Sequence, residues 1–385
     1  MKNLGLYIHI PFCESKCSYC DFISFCGQEK RMNEYVEAMI GEMRLYKGKF
    51  TGKVFDTLYI GGGTPSVLPV GAVNKIISAV KENFNFNKTS EITIEANPRS
   101  LSEEKLTEYL RAGVNRISLG VQCLNDEVLK TIGRAQTVAD INNAFEILNK
   151  HNVKNISADL MLGLPNETKE DINATINFFT KHGVKHISAY GLQLEEGTPL
   201  QKQVKSGKLS VPNEDEVTNQ YNYACMRMRE LGFVRYEISN FAKVEEGRQK
   251  AKFVISKHNS KYWDGSEYLG LGVSASGYFN GVRYTNTTNL DEYINNIKQK
   301  KLPIAYKEKL TKIQKREEKI MLSLRTTRGL NLEEFKAEFN EDLLKTKKQE
   351  IERLIKANFI EIKNNILTIK EDKFYVANLI ILELI

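Results

Sequence analysis

Leu4-Gly5-Leu6-Tyr7-Ile8-His9-Ile10-Pro11-Phe12-Cys13-Glu14-Ser15-Lys16-Cys17-Ser18-Tyr19-Cys20-Asp21-Phe22 decides how this chain is read. Leu4–Ile10 is an apolar, β-branched alternation and reads as a strand. Directly beyond it, Cys13, Cys17 and Cys20 stand at a Cys-x-x-x-Cys-x-x-Cys spacing, with Tyr19 and Phe22 around them. A cubane iron–sulfur cluster needs thiolates from a short, sharply turning loop that wraps three of its iron corners. Three ligands rather than four leave one iron open, as a catalytic metal site keeps one position for substrate. Cys26 stands near enough to be a fourth ligand. A structural zinc knuckle or a redox Cys-x-x-Cys pair are the competing readings, but zinc wants a fourth ligand at finger-like spacing, and none is obvious.

The bulk composition agrees with a folded protein carrying a metal site. The 385 residues are 41% hydrophobic, 27% charged and 9% aromatic, enough for one large α/β domain and a smaller one and not the profile of a disordered chain. Six cysteines, four of them within residues 13–26, do not make a disulfide scaffold and fit a reducing, cytoplasmic setting. The net charge of +7 is spread along the chain and identifies no partner. No run of about 18 apolar residues predicts a transmembrane helix. The N-terminus is too short and too interrupted for a signal peptide.

Working outward from the first strand, Phe55–Ile60, Glu91–Glu95, Arg116–Val121, Asn155–Leu160 and Lys185–Tyr190 also read as strands. Amphipathic helices are expected between them near 30–47, 70–83, 102–112, 137–151 and 168–182. Such alternation predicts a parallel sheet with right-handed crossovers; periodicity alone does not say whether it curls into a barrel. At or beyond the strand ends sit the cysteine loop, Gly61-Gly62-Gly63-Thr64-Pro65-Ser66, Glu95, Gln122, Arg134 and Asp159. That edge is where β/α proteins bind ligands. The glycines would let backbone N–H groups approach an anionic ligand, with the Thr64 hydroxyl added. Taken alone, a triple glycine is more often only a tight turn. Cys123 and Cys225 read as buried hydrophobes. His9 reads as structural; His151, His182 and His186 read as surface residues.

After residue 200 the alternation stops. A helix is expected over 213–231 and a strand over Phe233–Ile238, followed by a basic loop, Lys243–Lys257. Then come Lys257-His258-Asn259-Ser260-Lys261-Tyr262-Trp263 and a glycine-rich run over 268–277. From Leu302 the chain turns helical and charged, ending in a hairpin at Phe359–Ile369 around Asn364-Asn365. The expected division is 1–200 as core, 201–301 as a connecting region, and 302–385 as a winged-helix-like domain. Lys345, Lys347 and Lys348 there would suit nucleic acid, but Glu333, Glu334, Glu338, Glu341 and Asp342 crowd the same region, so no nucleic acid is expected.

Together these motifs resemble a known family. The cysteine spacing followed by Gly-Gly-Gly-Thr-Pro is similar to the radical S-adenosylmethionine superfamily. Tyr7–Cys13, Tyr19-Cys20-Asp21-Phe22, Ile94-Glu95-Ala96-Asn97-Pro98, Ser118-Leu119-Gly120-Val121-Gln122 and Asp159-Leu160-Met161-Leu162-Gly163-Leu164-Pro165 resemble its oxygen-independent coproporphyrinogen oxidase group. The resemblance covers nearly the whole chain. It implies a partial (β/α)6 radical-SAM barrel and a [4Fe-4S] cluster on Cys13, Cys17 and Cys20, with S-adenosylmethionine on the open iron. In the family a reduced cluster passes an electron to the sulfonium and releases a 5′-deoxyadenosyl radical. By the same resemblance Gly62, Gly63 and Thr64 hold the methionyl part, while Tyr7, Glu95, Gln122, Arg134 and Asp159 contact the nucleoside or the sulfonium end.

Within the group the chain looks most like the heme chaperones. His258-Asn259-Ser260-Lys261-Tyr262-Trp263 matches their His-Asn-x-x-Tyr-Trp stretch, which makes His258 a candidate axial ligand of heme iron with Tyr262 and Trp263 against the porphyrin; the plainer alternative is a histidine hydrogen-bonded within a loop. The oxidase itself resembles Cys-x-x-x-Cys-x-x-Cys-x-Cys, where this chain has Phe22, and it carries an N-terminal extension before the first strand, where this chain starts almost at that strand. Both departures point to heme and heme-accepting apoproteins as partners, compatible with peripheral membrane association. Coproporphyrinogen III dehydrogenation stands as the alternative.

Overall fold

Hydrophobic alternation places six strands in register in the computed structural model, which describes residues 3–245 and 252–385. They are β1 (Leu4–Ile10), β2 (Phe55–Gly62), β3 (Phe86–Ala96), β4 (Arg116–Gln122), β5 (Ile156–Leu162) and β6 (His186–Gly191). Each pairs with the next in parallel, with Tyr7 opposite Tyr59, Ile94 opposite Ile117 and Asp159 opposite Ser188. The crossovers carry α1 (Met32–Tyr46), α2 (Ala72–Asn83), α3 (Glu103–Ala112), α4 (Asp126–Thr131), α5 (Val138–Lys150) and α6 (Lys169–Lys181). Helices α5 and α6 start where Thr137 with Asp140, and Thr168 with Asp171, form capping boxes. Helix α4 has too few residues to show a period, and only its Asn125 cap, which accepts from Glu127 N and Val128 N, marks it.

Along β1 the residues Leu4, Leu6, Ile8 and Ile10 join the buried apolar core, as do Leu58, Ile60, Ile92, Ile94, Ile117 and Leu119 on the next strands. The alternate residues face the other way and are polar: Tyr7, His9, Thr57, Tyr59, Glu91, Glu95, Arg116, Asp159 and His186. In a flat sheet β2 and β6 would lie about 19 Å apart, four spacings of ~4.8 Å. Here Gly62 of β2 and Tyr190 of β6 line one cavity, so the sheet curls and the polar face becomes a barrel lumen.

The second half extends this sheet. It comprises α7 (Pro199–Lys205), α8 (Glu214–Glu230), β7 (Phe233–Arg235), β8 (Asn240–Glu245), β9 (Lys252–Phe253), α9 (Lys257–Trp263), β10 (Tyr268–Leu271), β11 (Ser276–Phe279), β12 (Val282–Asn286), α10 (Leu290–Lys298) and β13 (Ile304–Lys309). The strand order is β13-β12-β11-β10-β1-β2-β3-β4-β5-β6-β8-β7, with β9 on β8. The expected connecting region is thus corrected: β10 adds to β1 in parallel, and β8 adds to β6 antiparallel. The expected loop at 243–257 is also partly strand, since Val244 pairs with Phe253; residues 246–251 lie outside the described part.

The last domain starts later than Leu302, because β13 still pairs with β12. It contains α11 (Lys312–Leu324), β14 (Leu330–Asn331), α12 (Leu332–Phe339), α13 (Leu343–Thr346), α14 (Lys348–Lys356), β15 (Ile360–Lys363), β16 (Ile366–Ile369) and α15 (Ala377–Leu384). Its sheet runs β14-β16-β15 and its apolar core is separate from that of the barrel. Asn364 and Asn365 have φ of 49° and 61°, the paired left-handed residues of a tight hairpin. Among the described residues no helix is long and apolar enough to cross a membrane.

Candidate functional site

The loop after β1 is tied at its base and at its middle. Phe25 N donates to Pro11 O at 2.7 Å, and Cys13 N to Phe25 O at 3.1 Å. Ser18 N donates to Ile132 O at 3.0 Å, while Leu200 N donates to Ser18 O at 2.8 Å. His9 supports the returning limb through Nε2 and Ile23 O, 3.2 Å apart. A carbonyl there fixes the tautomer, so His9 Nδ1 accepts from the Tyr7 hydroxyl at 3.0 Å.

Held this way, Cys13, Cys17 and Cys20 are free thiols facing one cavity of about 480 Å³. Among the described residues no three ligating side chains converge on a single point. Cys26 is exposed and does not line the cavity. Gly62, Gly63, Thr64, Glu95, Gln122, Arg134 and Asp159 do line it.

The glycine turn works differently from the expected anion cradle. Gly62 N donates to Glu95 Oε2 at 3.1 Å, Gly63 N to Ile10 O at 2.8 Å and Thr64 N to Phe12 O at 2.8 Å. With those amides spent, the turn offers a ligand the Thr64 hydroxyl, 3.4 Å from Cys13 Sγ. The glycines are there for closeness. A Cβ on Gly63 would lie 2.7 Å from Phe12 O, and one on Gly62, at φ +116°, 2.7 Å from the His9 ring.

Two of the carboxylates lining the cavity, Glu95 and Asp159, are shifted by burial. Burial pushes Glu95 up to about 7, against the hydrogen bond from Tyr59 and with the Asp159 charge adding to the rise. Burial also pushes Asp159 up to about 6, opposed by its Ser188 hydrogen bond and by Arg134 and Arg116. Gln122 ends β4 in a bulge at φ 74°, with its Oε1 buried and unpartnered. Strain and an unmet acceptor at a cavity wall make Gln122 a candidate ligand contact. Because both acids sit above their unfolded values, the native state binds protons more tightly, and ionising them costs stability as pH rises from about 4 to 7. A bound cation repays that cost, so affinity for a sulfonium ligand should rise between about pH 5.5 and pH 8. Isothermal titration at both pH values checks this, and Glu95→Gln should flatten the dependence; pH-independent binding would exclude the acids as contacts.

Arg134 is not at a strand end, as the spacing suggested, but in the turn after α4, its N bonded to Leu129 O at 2.9 Å. The cavity also includes Arg99, Gln136, Met161 and Tyr190, which the sequence reading passed over. Tyr190 and Met161 were recoverable, as they fall at the ends of β6 and β5 on the inward phase.

Comparison with known proteins agrees with this geometry. Residues 7–179 match the family model described as Radical SAM superfamily, and residues 310–371 match the HemN C-terminal domain. The heme chaperone HemW of Lactococcus lactis is 34% identical over 92% of this chain and 90% of its own length. HemW of Bacillus subtilis is 36% identical over 88% and 87%. This chain belongs to the HemW family of the radical SAM superfamily. The solved coproporphyrinogen III oxidase HemN of Escherichia coli superposes with a TM-score of 0.85 over 99% of this chain and 90% of that chain, at 20% identity, and so shares the fold.

Two residues expected at the ligand do not line this cavity in this HemW-family chain. Tyr7, half-buried, packs beside His9, Tyr59 and His258. His258 sits in α9 at the barrel floor, 1% exposed, with Nδ1 2.9 Å from Thr57 Oγ1 and Nε2 2.9 Å from Tyr262 OH. Burial, with Lys261 and Arg116 beside it, lowers its pKa to about 3, so the ring is neutral. Glu91 anchors α9 by accepting from Lys257 N and His258 N. An axial ligand needs a free nitrogen facing an open platform, and here both ring nitrogens of His258 have partners. The surface expectation for His186 is corrected: it is fully buried between Ser157 Oγ and Tyr236 OH, both at 2.7 Å. Cys225 is half-buried and accepts from Arg235 at 2.8 Å, so it is not a purely apolar filler.

Proposed function

We propose that this protein is a cytoplasmic heme chaperone that binds heme and delivers it to acceptor proteins. Its relatives named heme chaperones match at 34% and 36% identity over 92% and 88% of the chain, through both domains, and that observation carries the proposal. Cys13, Cys17 and Cys20 would hold a [4Fe-4S] cluster, and S-adenosylmethionine would fill the cavity beside it. The Thr64 hydroxyl of the glycine turn suits an ammonium, and Glu95 and Asp159 suit a sulfonium or ribose hydroxyls. Gln122 and Arg134 would take the remaining polar edges, with Tyr7 acting through His9. When bound, such a cluster supplies an electron to the sulfonium. The chain's own part is to close the loop base, exclude water from the lumen and hold the ligand against the open iron.

Phe22, 66% exposed at the cavity lip, occupies the position where the oxidase pattern has a further cysteine, and it supports the chaperone over coproporphyrinogen III dehydrogenation. The test is an anaerobically reconstituted protein given hemin, an apo-heme acceptor, and separately coproporphyrinogen III with S-adenosylmethionine and reductant. Expected are about one heme per chain by Soret titration, transfer to the acceptor, and no protoporphyrinogen IX. Because His258 is enclosed, folded His258→Ala should keep the wild-type Soret band. Catalytic decarboxylation of the porphyrinogen would overturn the proposal.

A further inference from the structure

The geometry points to Arg134 as the residue that sets the reduction potential of the cluster, through a charged hydrogen bond to the Cys17 thiolate. This inference rests on the cluster assignment to Cys13, Cys17 and Cys20. Arg134 Nη1 is aimed at Cys17 Sγ from 3.5 Å. Its other terminal nitrogen is fixed: Nη2 donates to Gly120 O and, at 2.8 Å, to Gln136 Oε1. Gln136 is itself held, Nε2 donating to Gly120 O at 3.0 Å and Val121 O at 2.8 Å. The guanidinium therefore cannot swing away from the sulfur without breaking a clamp on β4.

The backbone repeats the constraint. Gly133 packs so closely on Ser18 that a Cβ there would stand 3.0 Å from Ser18 N, and Ser18 N bonds Ile132 O. The turn carrying Arg134 is thus fastened to the residue next to Cys17. The hydrogen-bond partners of the other two thiols are neutral, the Thr64 hydroxyl at Cys13 and the Phe22 amide at Cys20, although the Lys16 charge also acts on Cys20. Lys16, the other cation of the loop, is exposed and donates to Phe22 O, so water screens it. Arg134 Nε is buried and unpartnered, leaving one further donor for the cavity.

Potentials of iron–sulfur clusters follow net charge, hydrogen bonds to sulfur and solvent exposure. Reduction adds one negative charge to the cluster, and a half-buried guanidinium on a ligating sulfur stabilises the reduced form more than the oxidised one. Arg134 therefore raises the potential. Gln136 acts as its positioning residue.

The test is a redox titration of the reconstituted cluster by EPR, without S-adenosylmethionine so that any ligand contact of Arg134 is silent. Arg134→Gln should load the same iron as wild type yet need a potential more negative by a tenfold change in the reduced-to-oxidised ratio or more, 59 mV for one electron. Arg134→Lys, which keeps the charge but not the fork, should fall between. Gln136→Met should lower the potential with Arg134 still present, which a purely structural role would not do. If Arg134→Gln fails to load iron, the Lys and Met variants decide. Variants with full iron content and the wild-type potential would overturn the inference alone, whereas a wild-type protein that takes up no cluster would overturn the cluster assignment as well.

Discussion

Replacing Cys13, Cys17 or Cys20 singly with alanine is expected to empty the cluster, while Cys26→Ala leaves it intact. Wild-type protein reconstituted without oxygen should carry about four iron and four sulfide per chain with a broad visible charge-transfer band. Each of the three variants should fall below about one iron, because two remaining thiolates cannot hold a cube that already lacks its fourth protein ligand. Cys26 is the control in the same loop: it is exposed and turned away from the cavity that the other three share. Iron and sulfide analysis beside the visible spectrum is the measurement. Full iron in Cys17→Ala, or a wild-type chain holding zinc alone, would end the radical-SAM assignment of this loop.

Gly63→Val should have the second largest effect, on the cofactor rather than on folding. The atoms nearest a new Cβ include Phe12 O at 2.7 Å and Ile10 O at 3.1 Å, both backbone, with Cys13 Sγ also at 3.1 Å. Those carbonyls accept from Thr64 N and Gly63 N, so the turn can yield only by breaking its attachment to the cysteine loop. Overpacking of this kind costs about 1–3 kcal/mol, or roughly 5–150-fold if it falls on ligand affinity. Titrating S-adenosylmethionine against the EPR spectrum of the reduced cluster reads it directly. Gly191→Ala, in the same cavity with open space around it, should bind normally. Wild-type affinity in Gly63→Val would remove the turn from the site.

Much of the site was legible before folding. The strands were visible because their inward and outward residues differ every second position, and the cysteine loop because its three ligands lie within eight residues. The hairpin at Asn364-Asn365 was visible because two left-handed residues in a row belong to one turn type. Arg134 was misplaced because α4 is too short to show a period. His186 read as a surface residue because a histidine beginning a strand looks the same whether the face it joins is inside or outside. The edges of the sheet were missed in part because β9 and β10 are short, and short strands are defined by partners distant in sequence.

The sequence by itself determined the six βα units, the spacing of the thiols, the glycine turn beside them and the small C-terminal domain, all set by neighbours along the chain. Only the tertiary structure decided which groups remain free to bind. Cys17 meets its guanidinium from 117 positions away. The amides of the glycine turn are spent on Glu95, Ile10 and Phe12. Imidazole Nδ1 of His258 is occupied by Thr57, 201 positions distant. A lone pair or an N–H is available only if no other group reaches it, and which groups reach it is fixed by the closing of the barrel, not by local pattern.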